Sequence, residues 1–140
     1  MFVSEKIAFH ASLSSVIRGT TNGQTIVFDQ VDTNLGGGYS GATGVFTTPV
    51  AGTYVFSLTF FMYYTCSSQY VNSGYLYIMM NNIQSIGVWL QLDSSVNQGT
   101  ASGTTVLSLN KGDNVHVQAA TADMYIGGSK VSFFSGFLLG

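Results

Sequence analysis

Hydrophobic and polar positions along the chain alternate with a period of two rather than 3.6. In residues 53–64 the even positions are Tyr54, Phe56, Leu58, Phe60, Met62 and Tyr64, all large and mostly apolar. The odd positions begin small or polar (Thr53, Ser57, Thr59) and end aromatic (Phe61, Tyr63). One face of this segment is therefore core, and the other is neither fully wet nor fully dry. The same alternation recurs at Ile26–Phe28, Tyr75–Met80, Ile86–Leu92, Thr104–Leu109, Val115–Ala119 and Val131–Leu139. Turn chemistry separates these runs: Thr21-Asn22-Gly23, Gly36-Gly37-Gly38, Asn81-Asn82, Lys111-Gly112-Asp113 and Gly127-Gly128 all tolerate positive φ. The lone Pro49 sits just ahead of Ala51-Gly52, where the longest strand opens. No segment carries an amphipathic helical stripe. Eight to ten short strands are expected, and in a chain of 140 residues they predict a single all-β domain, a sandwich or a barrel.

Charge then narrows the functions. Only 7% of residues are charged, four basic and six acidic, for a net charge of −2. Four cations cannot neutralise many phosphates, so backbone binding to nucleic acid and polybasic attachment to anionic lipid are both excluded. No run approaches the ~20 apolar residues of a spanning helix. Uncharged polarity replaces charge, with 17 Ser, 14 Thr, 8 Asn and 7 Gln. Such a surface repels itself weakly, which favours self-association. From Thr33 to Leu92 there is no charge at all, and the 75–80 strand is apolar on both faces. One sandwich has one interior, so the surplus faces point to a second buried surface, most simply a subunit interface. The single Cys66 excludes an intrachain disulfide framework and a cysteine zinc cluster. The opening MFVSEKIAFH lacks a basic region followed by a long apolar one, and so does not read as a signal peptide.

A spacing pattern adds a family. Phe28 is followed after five residues by Asn34, after four by Tyr39, after six by Phe46, and after five by Gly52-Thr53-Tyr54-Val55-Phe56. This resembles the signature of the C1q globular-head domain, with Leu58 where the signature has Phe or Tyr. Ile7–Ala11, Leu107–Val115 and Ser132–Leu139 are similar to the family's opening strand, its late strand–turn–strand and its closing strand. The resemblance spans residues 1–140 as one C1q-like domain. It implies a ten-stranded jelly roll shared with the tumour necrosis factor superfamily, assembled as a homotrimer with both termini at the base. On this fold Gly52 permits close backbone approach, and Phe46, Tyr54, Phe56 and Phe137 pack the core or the threefold interface. The family's collagen stalk and an upstream coiled coil are not seen in this chain.

Candidate chemistry is sparse. His116 alternates with Val115 and Val117 and is expected to point away from the buried side of its strand; His10 lies in the opening strand. No nucleophile motif accompanies either, so the chain does not read as an enzyme. The resemblance places the loops 65–71, 93–99 and 121–130 at the apex, away from the termini. They carry Gln69, Tyr70, Asp93, Asn97, Gln98, Asp123 and Tyr125, with Asn72 and Lys130 at their edges. Aromatic faces against sugar C–H groups, with planar amides and carboxylates for hydroxyls, are the chemistry of saccharide binding. The plainer reading is a set of polar loops without a ligand. Some relatives hold calcium at acidic apical loops, and Asp93 and Asp123 could supply oxygens there, tripled by threefold symmetry; otherwise each is a solvated turn residue. Trp89, the single Trp, is expected in packing or interface burial.

The reading that follows is a secreted, lectin-like pattern-recognition trimer of innate immunity, binding microbial polysaccharide or glycolipid. Other readings are an extracellular structural or matrix trimer, and a signalling ligand that clusters a protein receptor. An outer-membrane β-barrel, which also alternates and is charge-poor, conflicts with the family blocks.

Overall fold

A computed structural model describes residues 5–93 and 97–140. Eleven strands are present among the described residues: β1 (Ala8–Ser12), β2 (Ile17–Arg18), β3 (Gln30–Leu35), β4 (Phe46–Thr47), β5 (Gly52–Tyr63), β6 (Ser73–Met80), β7 (Ile83–Gln91), β8 (Gln98–Leu109), β9 (Asn114–Ala119), β10 (Tyr125–Ile126) and β11 (Phe133–Leu138). Three of them, β2, β4 and β10, are two-residue pairings. The larger sheet runs β3-β1-β11-β5, with β8 on the far side of β5 and β10-β2 continuing beside the apical end of β5. The smaller sheet runs β4-β9-β6-β7. All pairings are antiparallel. This is a two-sheet sandwich, one of the two architectures the alternation allows, and the jelly roll that the resemblance implies.

Local chemistry sets the boundaries. Asn81 and Asn82 both adopt positive φ in the two-residue turn joining β6 to β7, the geometry that matches the twist of a hairpin. At the start of β5, a Cβ on Gly52 would stand 2.7 Å from Leu138 Cδ1 and 3.2 Å from the Gly140 carbonyl oxygen. Only glycine lets the last residues of the chain lie so close. The segment Ile26–Phe28 alternates in burial as expected and bonds to β9 through the Ile26 N–H and the Val117 carbonyl (2.8 Å) without becoming a full strand.

Between the sheets lies an aromatic core. Phe9 stacks on Tyr39 (4.6 Å, 3°) and Phe46 (5.2 Å), and meets Phe134 edge-on (5.1 Å). Phe46 touches Tyr54 and Phe56 edge-on, and Phe56 stacks near Phe134. Phe137 departs from the core half of its expectation, core or threefold interface: it is 46% exposed in the subunit, because its parity places it on the outward face of β11. His116 departs too. It does lie on the outer face of β9, but it is buried there, opposite Met79 and 3.4 Å from Gln118.

Two turn carboxylates fasten the ends of the sandwich. The Ser14 N–H (3.0 Å) and hydroxyl both donate to Asp29. The Asn110 N–H (2.8 Å) and the Asn81 amide (3.1 Å) donate to Asp113. Donors facing the ionised form hold both carboxyls below their ordinary range, the Ser14 hydroxyl leading at Asp29 and the Asn110 N–H at Asp113. A depressed folded pKa contributes stability that is complete above the unfolded carboxylate value and is lost as pH falls through the folded one. Urea midpoints measured from about pH 6 to about pH 3 are therefore expected to fall with acid. The fall should be shallower in Asp29→Asn, and an unchanged slope in that variant would contradict the assignment.

Candidate functional site

Strand register separates the two ends of the sandwich. Ala8, Leu35, Phe137 and Leu109 gather at the end that holds the last residues of the chain. Ser12, Phe133, Tyr63 and Gln98 run toward the other. The loop 64–72, the segment after Gln91 and the segment 120–124 all leave strands at that second, apical end. Residues 94–96 of the expected loop 93–99 lie outside the described residues, and Gln98 and Gly99 belong to β8.

Backbone bonds stitch the apical segments together. The Tyr64 N–H donates to the Asn97 carbonyl (2.7 Å), the Leu92 N–H to the Asn72 carbonyl (2.7 Å), and the Val71 N–H to the Asp123 carbonyl (2.9 Å). Thr20 ties in a fourth segment: its hydroxyl donates to the Thr121 carbonyl (2.7 Å) and accepts from the Met124 N–H (3.0 Å). Asp123 has φ +63°, and its carboxylate is exposed. Gln69, Asp93 and Asn97 are also exposed, whereas Tyr70, Asn72 and Tyr125 are half-buried. The structure thus joins loops 65–71 and 121–124 through Val71 and Asp123, and ties Asn72 to Leu92 and Asn97 to Tyr64 at the same end.

Tyr125 is not a loop residue. It lies in β10, and its ring meets Tyr70 edge-on (5.4 Å) and Tyr63 at a tilt (5.3 Å). Arg18, which the sequence reading passed over, holds its guanidinium 5.7 Å from the centre of the Tyr125 ring. Its only signal is distant in sequence, because β2 and β10 pair across more than a hundred residues. The apical end therefore carries a cation over an aromatic face. Lys130 turns instead to Asp32 (3.9 Å), an exposed pair of small energetic weight. Cys66 is exposed and not in a disulfide, and its thiol, hydrogen-bonded to Tyr64, raises that phenol above its ordinary range. Among the described residues no three His, Cys, Asp or Glu side chains cluster. A cation at Asp123 would need carboxylates from more than one copy.

Below the apex, the outward face of the larger sheet falls into rows. One register row reads Val106, Val55, Phe137, Ala8 and Leu35 across five neighbouring strands. Val106 is 59% and Leu35 51% exposed. The next row toward the apex is Thr104, Ser57, Ser135, His10 and Thr33, small and hydroxyl-rich. The apical row is Gln98, Tyr63, Tyr125 and Arg18. Apolar at one end and aromatic at the other, with little charge, this face has the composition of an interface core.

The model of the C1q domain matches residues 8–139. The chain belongs to the C1q domain family. Complement C1q tumor necrosis factor-related protein 3 of Mus musculus and that of Homo sapiens are each 31% identical over 134 residues, covering 96% of this chain and 51% of the relative. Caprin-2 of Danio rerio is 32% identical over 134 residues, 96% of this chain and 14% of that protein. This C1q domain thus spans about half the length of the first of these relatives. Among solved structures, the globular domain of zebrafish complement 1qA protein superposes with a TM-score of 0.76 at 22% identity, over 96% of this chain and 98% of that one. Eiger TNF from S. frugiperda superposes with a TM-score of 0.80 at 12% identity, over 98% and 94%. These likenesses establish the C1q/TNF jelly-roll fold.

The C1q signature residues are a packing device. The Asn34 amide donates to the Tyr39 carbonyl (2.8 Å) and accepts from the Tyr39 N–H (3.2 Å), clamping the glycine-rich loop. The Tyr39 hydroxyl then donates to the Phe28 carbonyl (2.7 Å), and burial pushes its phenol well above the ordinary value. Phe28, Phe46, Tyr54 and Phe56 fill the core beneath. None of these residues belongs to the apical segments 64–72 and 120–124.

Proposed function

We propose that this C1q domain is the recognition head of a secreted trimer that binds microbial polysaccharide or glycolipid through its apical loops. The observation that carries the reading is the apical surface itself. Segments far apart in sequence present Tyr70, Gln69, Asp123, Asn72 and Asn97 at one end of the sandwich, hydrogen-bonded to one another through the backbone. Aromatic rings, amides and one carboxylate are what a sugar requires, and weak single sites gain strength when three are presented together. The outward face of the larger sheet supports the trimer. Closing it between three copies would cover the apolar row and gather three Tyr63–Tyr125 pairs at the apex. Calcium, if used, would sit where several copies of Asp123 or Asp93 approach one another.

The test is binding of the soluble protein to an array of microbial polysaccharides, with and without EDTA. A defined glycan set, competed by free sugar, is expected. Asp123→Asn, which keeps a residue tolerant of positive φ, and Tyr70→Ala should each weaken it about tenfold or more. A blank array from a folded trimer would sink the reading. That outcome would favour a ligand for a cell-surface receptor, a role supported by the TNF-like fold.

A further inference from the structure

On the other side of the sandwich, away from the apolar row, the outer face of the smaller sheet carries three aromatic rings. Tyr75 and Tyr77 are two residues apart on β6 and stack nearly parallel, 5.8 Å between centres at 17°. Trp89 stands directly opposite Tyr75 on β7, 6.1 Å away at 28°. Trp89 is 53% and Tyr75 41% exposed, so the expected burial of Trp89 is not found within the subunit. Large rings left in water at neighbouring positions ordinarily serve a contact.

The rings are also positioned. Gly87 stands opposite Tyr77, and a Cβ there would lie 2.7 Å from Tyr77 Cε1 and 3.1 Å from its Cζ. The Tyr77 ring therefore rests across the bare backbone of the next strand, an arrangement that a larger residue at 87 would abolish. Uncharged polar groups flank the rings in register: Gln118 beside Tyr77, and the Ser73–Gln91 pair beyond Tyr75 and Trp89. The surface is continuous with the apex, because the Tyr75 N–H donates to the Thr121 hydroxyl (3.1 Å).

We propose that this aromatic shelf is a second carbohydrate site, taking the flat face of a neutral, β-linked polysaccharide. Charge decides the occupant. Tyr75, Tyr77 and Trp89 lie in a sixty-residue stretch without a charged side chain, and His116, on the same face of the adjacent β9, is buried, so the exposed rings offer little to an anionic or cationic partner. A β-linked glucan has equatorial hydroxyls and axial C–H faces. Its C–H faces match rings carrying negative π density, and its hydroxyls match the flanking amides and hydroxyl. Rigid aromatic rings lose little conformational freedom on binding. The site does not depend on the apical reading.

Trp89 is the single tryptophan, so its fluorescence reports on this shelf alone. The native protein is titrated with two neutral β-glucans, laminarin and hydroxyethyl cellulose, and with the polyuronate alginate. A saturable change in emission with at least one β-glucan, and none with alginate, is expected. Tyr75→Ala should weaken it about tenfold or more. Gly87→Val, which suits a strand but lifts the Tyr77 ring, should do the same while the circular dichroism spectrum stays native. Asp123→Asn should leave it unchanged. No emission change with either glucan would overturn the proposal, as would full affinity in Tyr75→Ala. Emission of a buried indole that reddens on dilution would assign the shelf to a second copy of the chain and refute the glycan site. Glycan binding lost in Asp123→Asn but kept in Tyr75→Ala would refute the shelf and leave the apical site standing; the reverse would do the opposite.

Discussion

Phe9→Ala is expected to cost the subunit about 3–5 kcal/mol, the range found when a buried phenylalanine is truncated and its cavity cannot fully collapse. Phe9 sits where the two sheets meet, within stacking distance of Tyr39 and Phe46 and edge-on to Phe134. Its partners cannot move into the gap, because each is held elsewhere. The Tyr39 hydroxyl is bonded to the Phe28 carbonyl, and Phe46 and Phe134 both pack on Phe56. Domains of this kind have only about 5–15 kcal/mol to lose. The urea midpoint should drop by about 2 M, and much of the protein should become insoluble at physiological temperature. Ile83→Ala is the control: its side chain is exposed at the start of β7, away from the apolar row, and the midpoint should barely move. A loss under 1 kcal/mol in Phe9→Ala, by the same measurement, would contradict the packing described here.

The second large effect concerns assembly. Val106→Asp and Phe137→Asp each place a carboxylate in the apolar row without touching the core, since both side chains are exposed in the subunit. In a trimer closed on that face, three such carboxylates would be desolvated near one another without partners. Leaving a charge buried and unpaired at an interface costs about 2–5 kcal/mol or more per site. Either variant is expected to dissociate into single chains at micromolar concentration with an unchanged circular dichroism spectrum. Persistence of the assembly in both would show that another face holds it together.

Most of the fold was legible because β-strands write their burial with a period of two. The segment 53–64 shows it most plainly: every even position from Tyr54 to Met62 is buried, and the odd ones are partly covered. The turns were legible for a similar reason, Asn81-Asn82 and Gly112 taking up the positive φ their residue types allow. Parity alone does not say what lies beyond a face. Phe137 resembles its core neighbours in composition, yet its side of β11 is open. His116, expected on the outer side, is on it and buried all the same. The placement of Gln69, Tyr70 and Asp123 at one end followed from the resemblance, because loops of one end are loops of one fold. Arg18 was missed because its place over Tyr125 arises from a two-residue pairing that no local pattern announces. The aromatic shelf needed register as well: only the pairing of Tyr75 with Trp89, and of Tyr77 with Gly87, turns three separate residues into one surface.

The proposed recognition surface requires the open face of the larger sheet to be closed by further copies, so that three apices meet. Light scattering on the protein eluting from a sizing column at micromolar concentration tests this directly. The predicted mass is about three times the 14.9 kDa of one chain, held unchanged on tenfold dilution. A stable mass of 14.9 kDa would contradict the trimer.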